Sequence, residues 1–90
     1  MSVSISLPPV LQALAGEVQN VDAGGSTVGE CLKELAKQYP QLESRLFTRR
    51  GKLLKGTNIF VNGENVHTEP LARPVHDGDK LHIFYPVQGG

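Results

Sequence analysis

Few side chains in this sequence stand where their type and spacing could do chemistry. Cys31 is the one thiol, and it lies beside Leu32 on the apolar side of a helical pattern, so it reads as a small buried hydrophobe and not as a nucleophile. His67, His76 and His82 have no Cys or His at metal-ligand spacing, and no Ser or Cys is placed by motif beside a base. Neither a metal site nor a catalytic triad is expected. Gly24-Gly25-Ser26-Thr27 opens a helix but lacks the Lys of a phosphate-binding loop, so it is read as a helix start. Arg45, Arg49, Arg50, Lys52 and Lys55 place five of the nine basic residues within eleven positions. That cluster is read as a solvated loop, with phosphate or an acidic protein surface as the alternative use. What remains is the terminal run Pro86-Val87-Gln88-Gly89-Gly90, expected to project into solvent as residues 86–90 beyond a domain of residues 1–85. Two terminal glycines coincide by chance about 0.5% of the time at ordinary glycine usage, so their meaning depends on the fold that carries them.

The elements that must position this tail are legible from periodicity. Val3, Ile5 and Leu7 alternate with Ser2, Ser4 and Ser6 as one-face-buried strands do, and Pro8-Pro9 stops the run. Residues 17–21, between Gly16 and Gly24-Gly25, read as a second strand hairpinned to the first. Thr27 and Glu30 have capping-box spacing, and Val28, Leu32, Leu35, Ala36 and Tyr39 then recur at helical intervals until Pro40. One helix of about three turns fits. Leu42, Leu46 and Phe47 suggest a short helical turn before the basic loop. Asn58-Ile59-Phe60-Val61 runs into Asn62-Gly63, which suits a type I′ hairpin turn with Val66 on the returning strand. Asp77-Gly78-Asp79 makes another turn, and residues 80–85 alternate as the last strand. The order β-β-α-β-β-β predicts an α+β fold, a mixed sheet of four to five strands over one main helix, which is the β-grasp (ubiquitin-like) architecture.

Composition limits the function classes. Ninety residues suffice for a single core. Nine basic and nine acidic side chains cancel, so no overall field favours nucleic acid or anionic lipid, and no nucleic-acid or membrane partner is expected. Met1 to Leu7 lacks the basic and apolar regions of a signal peptide, and a single cysteine cannot form an internal disulfide, so the expected address is cytoplasmic.

A β-grasp domain whose last strand runs from Asp77-Gly78-Asp79 through Lys80-Leu81-His82-Ile83-Phe84-Tyr85 into Pro86-Val87-Gln88-Gly89-Gly90 resembles the ThiS/MoaD family of sulfur carriers. The likeness includes Asn58 to Gly63 and is greatest to the CysO-type branch, from whose tails Tyr85 departs. The resemblance implies a carrier acted on by other enzymes, and not an enzyme. A free carboxylate is a poor electrophile until its oxygen becomes a leaving group. An E1-like activating enzyme would therefore use ATP to adenylate Gly90, and a sulfur donor would displace AMP to leave a thiocarboxylate. Val87, Gln88 and Gly89 would thread a narrow channel, for which glycine's missing Cβ suits it. No cofactor is expected to be bound by the chain itself.

Phe60, His82 and Phe84 fall out of phase with Ile59, Val61, Leu81 and Ile83, so they should share the outer face of neighbouring strands. We read them as a partner-binding patch; the other reading has one or two of the rings covered by residues 42–56. The resemblance to the CysO-type branch implies delivery of sulfur to a pyridoxal-phosphate cysteine synthase, followed by a peptidase that restores the diglycine end. Molybdopterin, thiamin thiazole and thiolated tRNA are the other acceptors, the segment 42–56 weighing against the compact thiamin carriers. Competing readings are the small subunit of a molybdopterin synthase, a ubiquitin-like modifier joining Gly90 to lysines, and a plain β-grasp interaction module.

Overall fold

In the computed structural model, which describes residues 2–84, five strands form one sheet in the order β2-β1-β5-β3-β4. The strands are β1 (Val3–Ser6), β2 (Asn20–Ala23), β3 (Asn58–Val61), β4 (Glu64–Asn65) and β5 (Lys80–Phe84). β5 pairs in parallel with β1 and antiparallel with β3, so the last strand is central, held by ladders on both sides. Parallel pairing next to antiparallel pairs makes the sheet mixed, and the arrangement is the expected β-grasp.

The inner face follows from the alternation. Val21, Ile5, Leu81 and Val61 stand side by side across four strands, and each is at most 5% exposed. Over this row lies α2 (Val28–Gln38), which turns Val28, Cys31, Leu32 and Leu35 into the core. Complete burial of a leucine or isoleucine stabilises the fold by about 1.5–3 kcal/mol, so the helix is fixed chiefly by this apolar stripe. Its start is set by a variant of the expected capping box, in which Glu30 reaches the residue before the cap and not Thr27 itself. The Thr27 hydroxyl accepts from the Glu30 backbone N–H at 3.2 Å, and the Glu30 carboxylate reaches back to accept from the Ser26 N–H at 2.8 Å. Gly29 lies where α2 meets the turn Pro70–Ala72, and a Cβ there would stand 2.9 Å from the Leu71 carbonyl oxygen.

Besides the returning strand, which ends at Asn65 and leaves Val66 just past it with its N–H donating to the Ile59 carbonyl, two features differ from the sequence reading. A short helix, α1 (Pro9–Leu14), stands between the first two strands, with Pro9 at its first turn, where a missing N–H costs nothing. The second strand begins at Asn20 and not at Glu17. Gly16 and Glu17 both take positive φ, 76° and 71°, and two consecutive left-handed residues cannot lie in a strand. The Glu17 N–H instead donates to the Gln12 carbonyl and closes α1. β1 and β2 are therefore antiparallel neighbours joined through a helix, not by a tight hairpin.

The segment after α2 contains the turn Pro40–Leu42 and α3 (Glu43–Leu46), which carry Leu42 and Leu46 into the core. No helix in the described residues is long and apolar enough to cross a membrane.

Candidate functional site

The outer face of the sheet carries a row that spans all five strands: Asn20, Ser6, His82, Phe60 and Asn65 are successive lateral neighbours. At its centre the rings of Phe60 and His82 meet edge to face, with centroids 6.2 Å apart and planes at 72°. Phe84 lies two residues beyond His82 on the same face, opposite Asn58, and is 45% exposed, one of two large apolar side chains so open among the described residues. His82 is exposed and Phe60 half-buried. The structure thus brings together the three residues that the sequence placed on one face. It adds Ser6 from β1, whose contribution needed the parallel β1/β5 register to be seen.

Two turns hold this face in register. Asn62 and Gly63 take φ of 50° and 88°, as a type I′ turn requires, and the Asn62 side chain then bridges to the next turn. Its amide donates to Asp79 Oδ1 at 3.1 Å, and its oxygen accepts from the Lys80 backbone N–H at 3.0 Å. The other Asp79 oxygen accepts from the His76 N–H at 2.8 Å. The backbone bond to His76 first, then the Asn62 amide, holds the Asp79 carboxyl below the usual carboxylate range. Sequence reasoning missed this clamp, although Asx residues in both turns were the available signal. The neighbouring Asp77 accepts from the Ser2 N–H at 2.7 Å and ties the start of β1 to the start of β5.

Elsewhere the chemistry-bearing residues are dispersed. Cys31 is fully buried, and burial first, then the charge of Glu30, pushes its thiol above the ordinary range. Among the described residues no group of His, Cys, Asp or Glu could hold a metal ion. Arg45, Arg49, Arg50, Lys52 and Lys55 are exposed on and after α3, on the helical side of the sheet. The Thr48 hydroxyl shapes that loop by accepting from the backbone N–H groups of Arg50 and Lys52, both at 3.2 Å. Val87, Gln88, Gly89 and Gly90 lie outside the described residues, as does Tyr85. The chain enters them directly from Phe84, at the end of the central strand.

This architecture has known relatives. The ThiS family model matches residues 5–90. The chain belongs to the ThiS family. The sulfur carrier protein CysO of Mycobacterium tuberculosis is 36% identical to it, over the full length of both chains. The crystal structure of SAMP1 from Haloferax volcanii superposes with a TM-score of 0.88 at 34% identity, covering all of both chains. The Amycolatopsis orientalis CysO, solved in complex with BexX, superposes with a TM-score of 0.87 at 34% identity over 98% of this chain and 99% of that one. Within this ThiS-family fold, then, Phe84, the last residue of β5, shares the outer sheet face with Phe60 and His82.

Proposed function

We propose that this ThiS-family chain is a sulfur carrier whose working group is the carboxylate of Gly90. The observation that carries the reading is the full-length likeness to CysO combined with a central last strand that is followed in the sequence, after residues 85–88, by Gly89-Gly90. β5 is laddered to both β1 and β3 as far as His82 and to β3 alone through Phe84, so its last described residue is still held in the sheet. The six residues that follow Phe84 extend to at most about 20 Å, enough for the terminal carboxylate to reach a partner's active site while the sheet face stays docked.

The chemistry runs in two balanced steps. An E1-like enzyme joins a Gly90 carboxylate oxygen to the α-phosphorus of ATP and releases pyrophosphate. A hydrosulfide equivalent from a sulfur donor then adds to the activated carbonyl, and AMP departs with the bonding electrons to leave a thiocarboxylate. Phe60, His82 and Phe84 supply the docking surface. As acceptor, a pyridoxal-phosphate cysteine synthase would hold an aminoacrylate to which the tethered sulfur adds, docking replacing a dilute encounter with a high effective concentration. Once its α-carbon is protonated and its amine is released from the cofactor, the thioester so formed rearranges by S-to-N acyl shift, and a peptidase hydrolyses the new amide to release cysteine and regenerate Gly90.

Intact mass after incubation with the activating enzyme, ATP and sulfide tests the first half: one oxygen is exchanged for one sulfur. Adding the synthase with O-phosphoserine or O-acetylserine should then give the chain extended by one cysteine. The likeness to SAMP1 motivates a second reading, a protein modifier that forms isopeptide bonds through Gly90. High-mass conjugates in place of the thiocarboxylate would favour it, and sulfur transfer to a molybdopterin precursor would move the acceptor to that pathway.

A further inference from the structure

The zero net charge conceals a strong segregation. Residues 33–55 hold seven of the nine basic and two of the nine acidic side chains, a net charge of +5, and the rest of the chain holds two basic and seven acidic, a net charge of −5. Within the positive part, α2 and the loop after α3 enclose an open cleft of about 380 Å³. Lys33 and Lys37, one turn apart on α2, line it with Arg49, while Ala36 and Phe47 form an apolar floor and Glu43 stands in the wall. Lys33, Lys37 and Arg49 make no ion pair among the described residues. Three unpaired cations beside an apolar floor, with the opposite charge gathered elsewhere on the molecule, form a surface that attracts anions.

We propose that this cleft docks an acidic segment of a partner protein. Charge complementarity selects an anion, and three features select a peptide. Phe47, 9% exposed, offers an edge for an apolar side chain to cover but no open ring on which a base could stack. A long nucleic acid would also meet the net negative charge of the remaining surface. Glu43 disfavours a compact anion in the same space, whereas an extended segment can set carboxylates at Lys33, Lys37 and Arg49 and a neutral residue at Glu43. The cleft lies on the helical layer, and Phe60 and His82 lie on the opposite face of the sheet. A protein held here leaves the outer sheet face open to a second partner. The proposal does not depend on the chemistry at Gly90.

The test is titration of the full chain with a fluorescein-labelled peptide, Asp-Glu-Phe-Glu-Asp-Leu-Glu-Glu, followed by anisotropy and by amide chemical shifts. Shifts concentrated at Lys33, Lys37, Phe47 and Arg49 are expected. The double substitution Lys33→Glu and Lys37→Glu, at exposed positions, should weaken binding at least about tenfold, since turning two neighbouring cations into anions acts on both affinity and steering. Lys80→Glu, the same kind of change on the sheet side, should leave it within about twofold. Equal losses in both variants, or absence of binding, would overturn the proposal. Inorganic phosphate giving the same shifts would replace the peptide site by a compact-anion pocket. Self-association of the chain alone that the double substitution abolishes, measured by sedimentation, would make the occupant a second copy.

Discussion

Asn62 and Asp79 join the hairpin turn to the turn that launches the last strand, their side chains hydrogen-bonded at 3.1 Å. The bond fixes the end of β3 against the start of β5, and thereby sets Phe60 opposite His82. Because Asp79 accepts these bonds as a carboxylate, its folded pKa lies below the unfolded value of about 3.9. The stability it contributes is present above that value and is lost as pH falls through the lower, folded pKa. Asp79→Asn should therefore be less stable than the wild type near neutrality and show a shallower loss from about pH 4 downward. Urea unfolding across that range measures both, and parallel pH profiles for the two proteins would refute the assignment.

Removing Gly90, or replacing Gly89 with a bulky residue, should abolish adenylation while leaving the fold intact, because all the core residues described lie before residue 84. ATP–pyrophosphate exchange at the wild-type rate by a folded deletion variant would take Gly90 out of the mechanism.

Phe60→Asp and Phe84→Asp should each weaken binding to the activating enzyme by about 2 kcal/mol or more, as loss of an aromatic anchor at an interface centre does. Calorimetry on variants shown to be folded by circular dichroism decides it. Unchanged affinity in both would place recognition elsewhere.

Cys31 should be dispensable for sulfur transfer. Cys31 is wholly buried in the core, so Cys31→Ala should cost about 1 kcal/mol in stability through lost packing. The variant should still acquire one sulfur at Gly90 on intact-mass analysis, and failure to do so while folded would return Cys31 to the mechanism.

Thr27→Ala removes the acceptor for the Glu30 N–H and should cost about 1 kcal/mol, read from thermal or urea unfolding. A loss below a few tenths would show that solvent replaces the cap without penalty.

Local chemistry made much of this protein legible in one dimension. The Ser/apolar alternation of β1, the Thr27–Glu30 box and the Asn62-Gly63 turn each depend on residues within a few positions of one another, so spacing alone reveals them. The pairing of Phe60 with His82 on one face was legible too, because side chains alternate strictly along a strand. α1 was not, since Val10, Leu11 and Leu14 fill too few turns to show a period, and the start of β2 was obscured because nothing in its type marks Glu17 for a left-handed conformation.

Other relationships exist only between segments distant in the chain. The sequence by itself determined that the chain forms strands and one principal helix, that the apolar set buries, and that Gly89-Gly90 come after a strand. Only the tertiary structure decided that this strand is central, because parallel pairing of β5 with β1 joins residues nearly eighty positions apart and leaves no local mark. The same long-range packing set Ser6 beside His82, tied Asn62 to Asp79, and folded the +5 segment back on α2 to make a cleft from charges that the composition had cancelled. Hydrophobic pattern fixes which face each element buries, but lateral order and the meeting of charges follow from how all those faces close on one core.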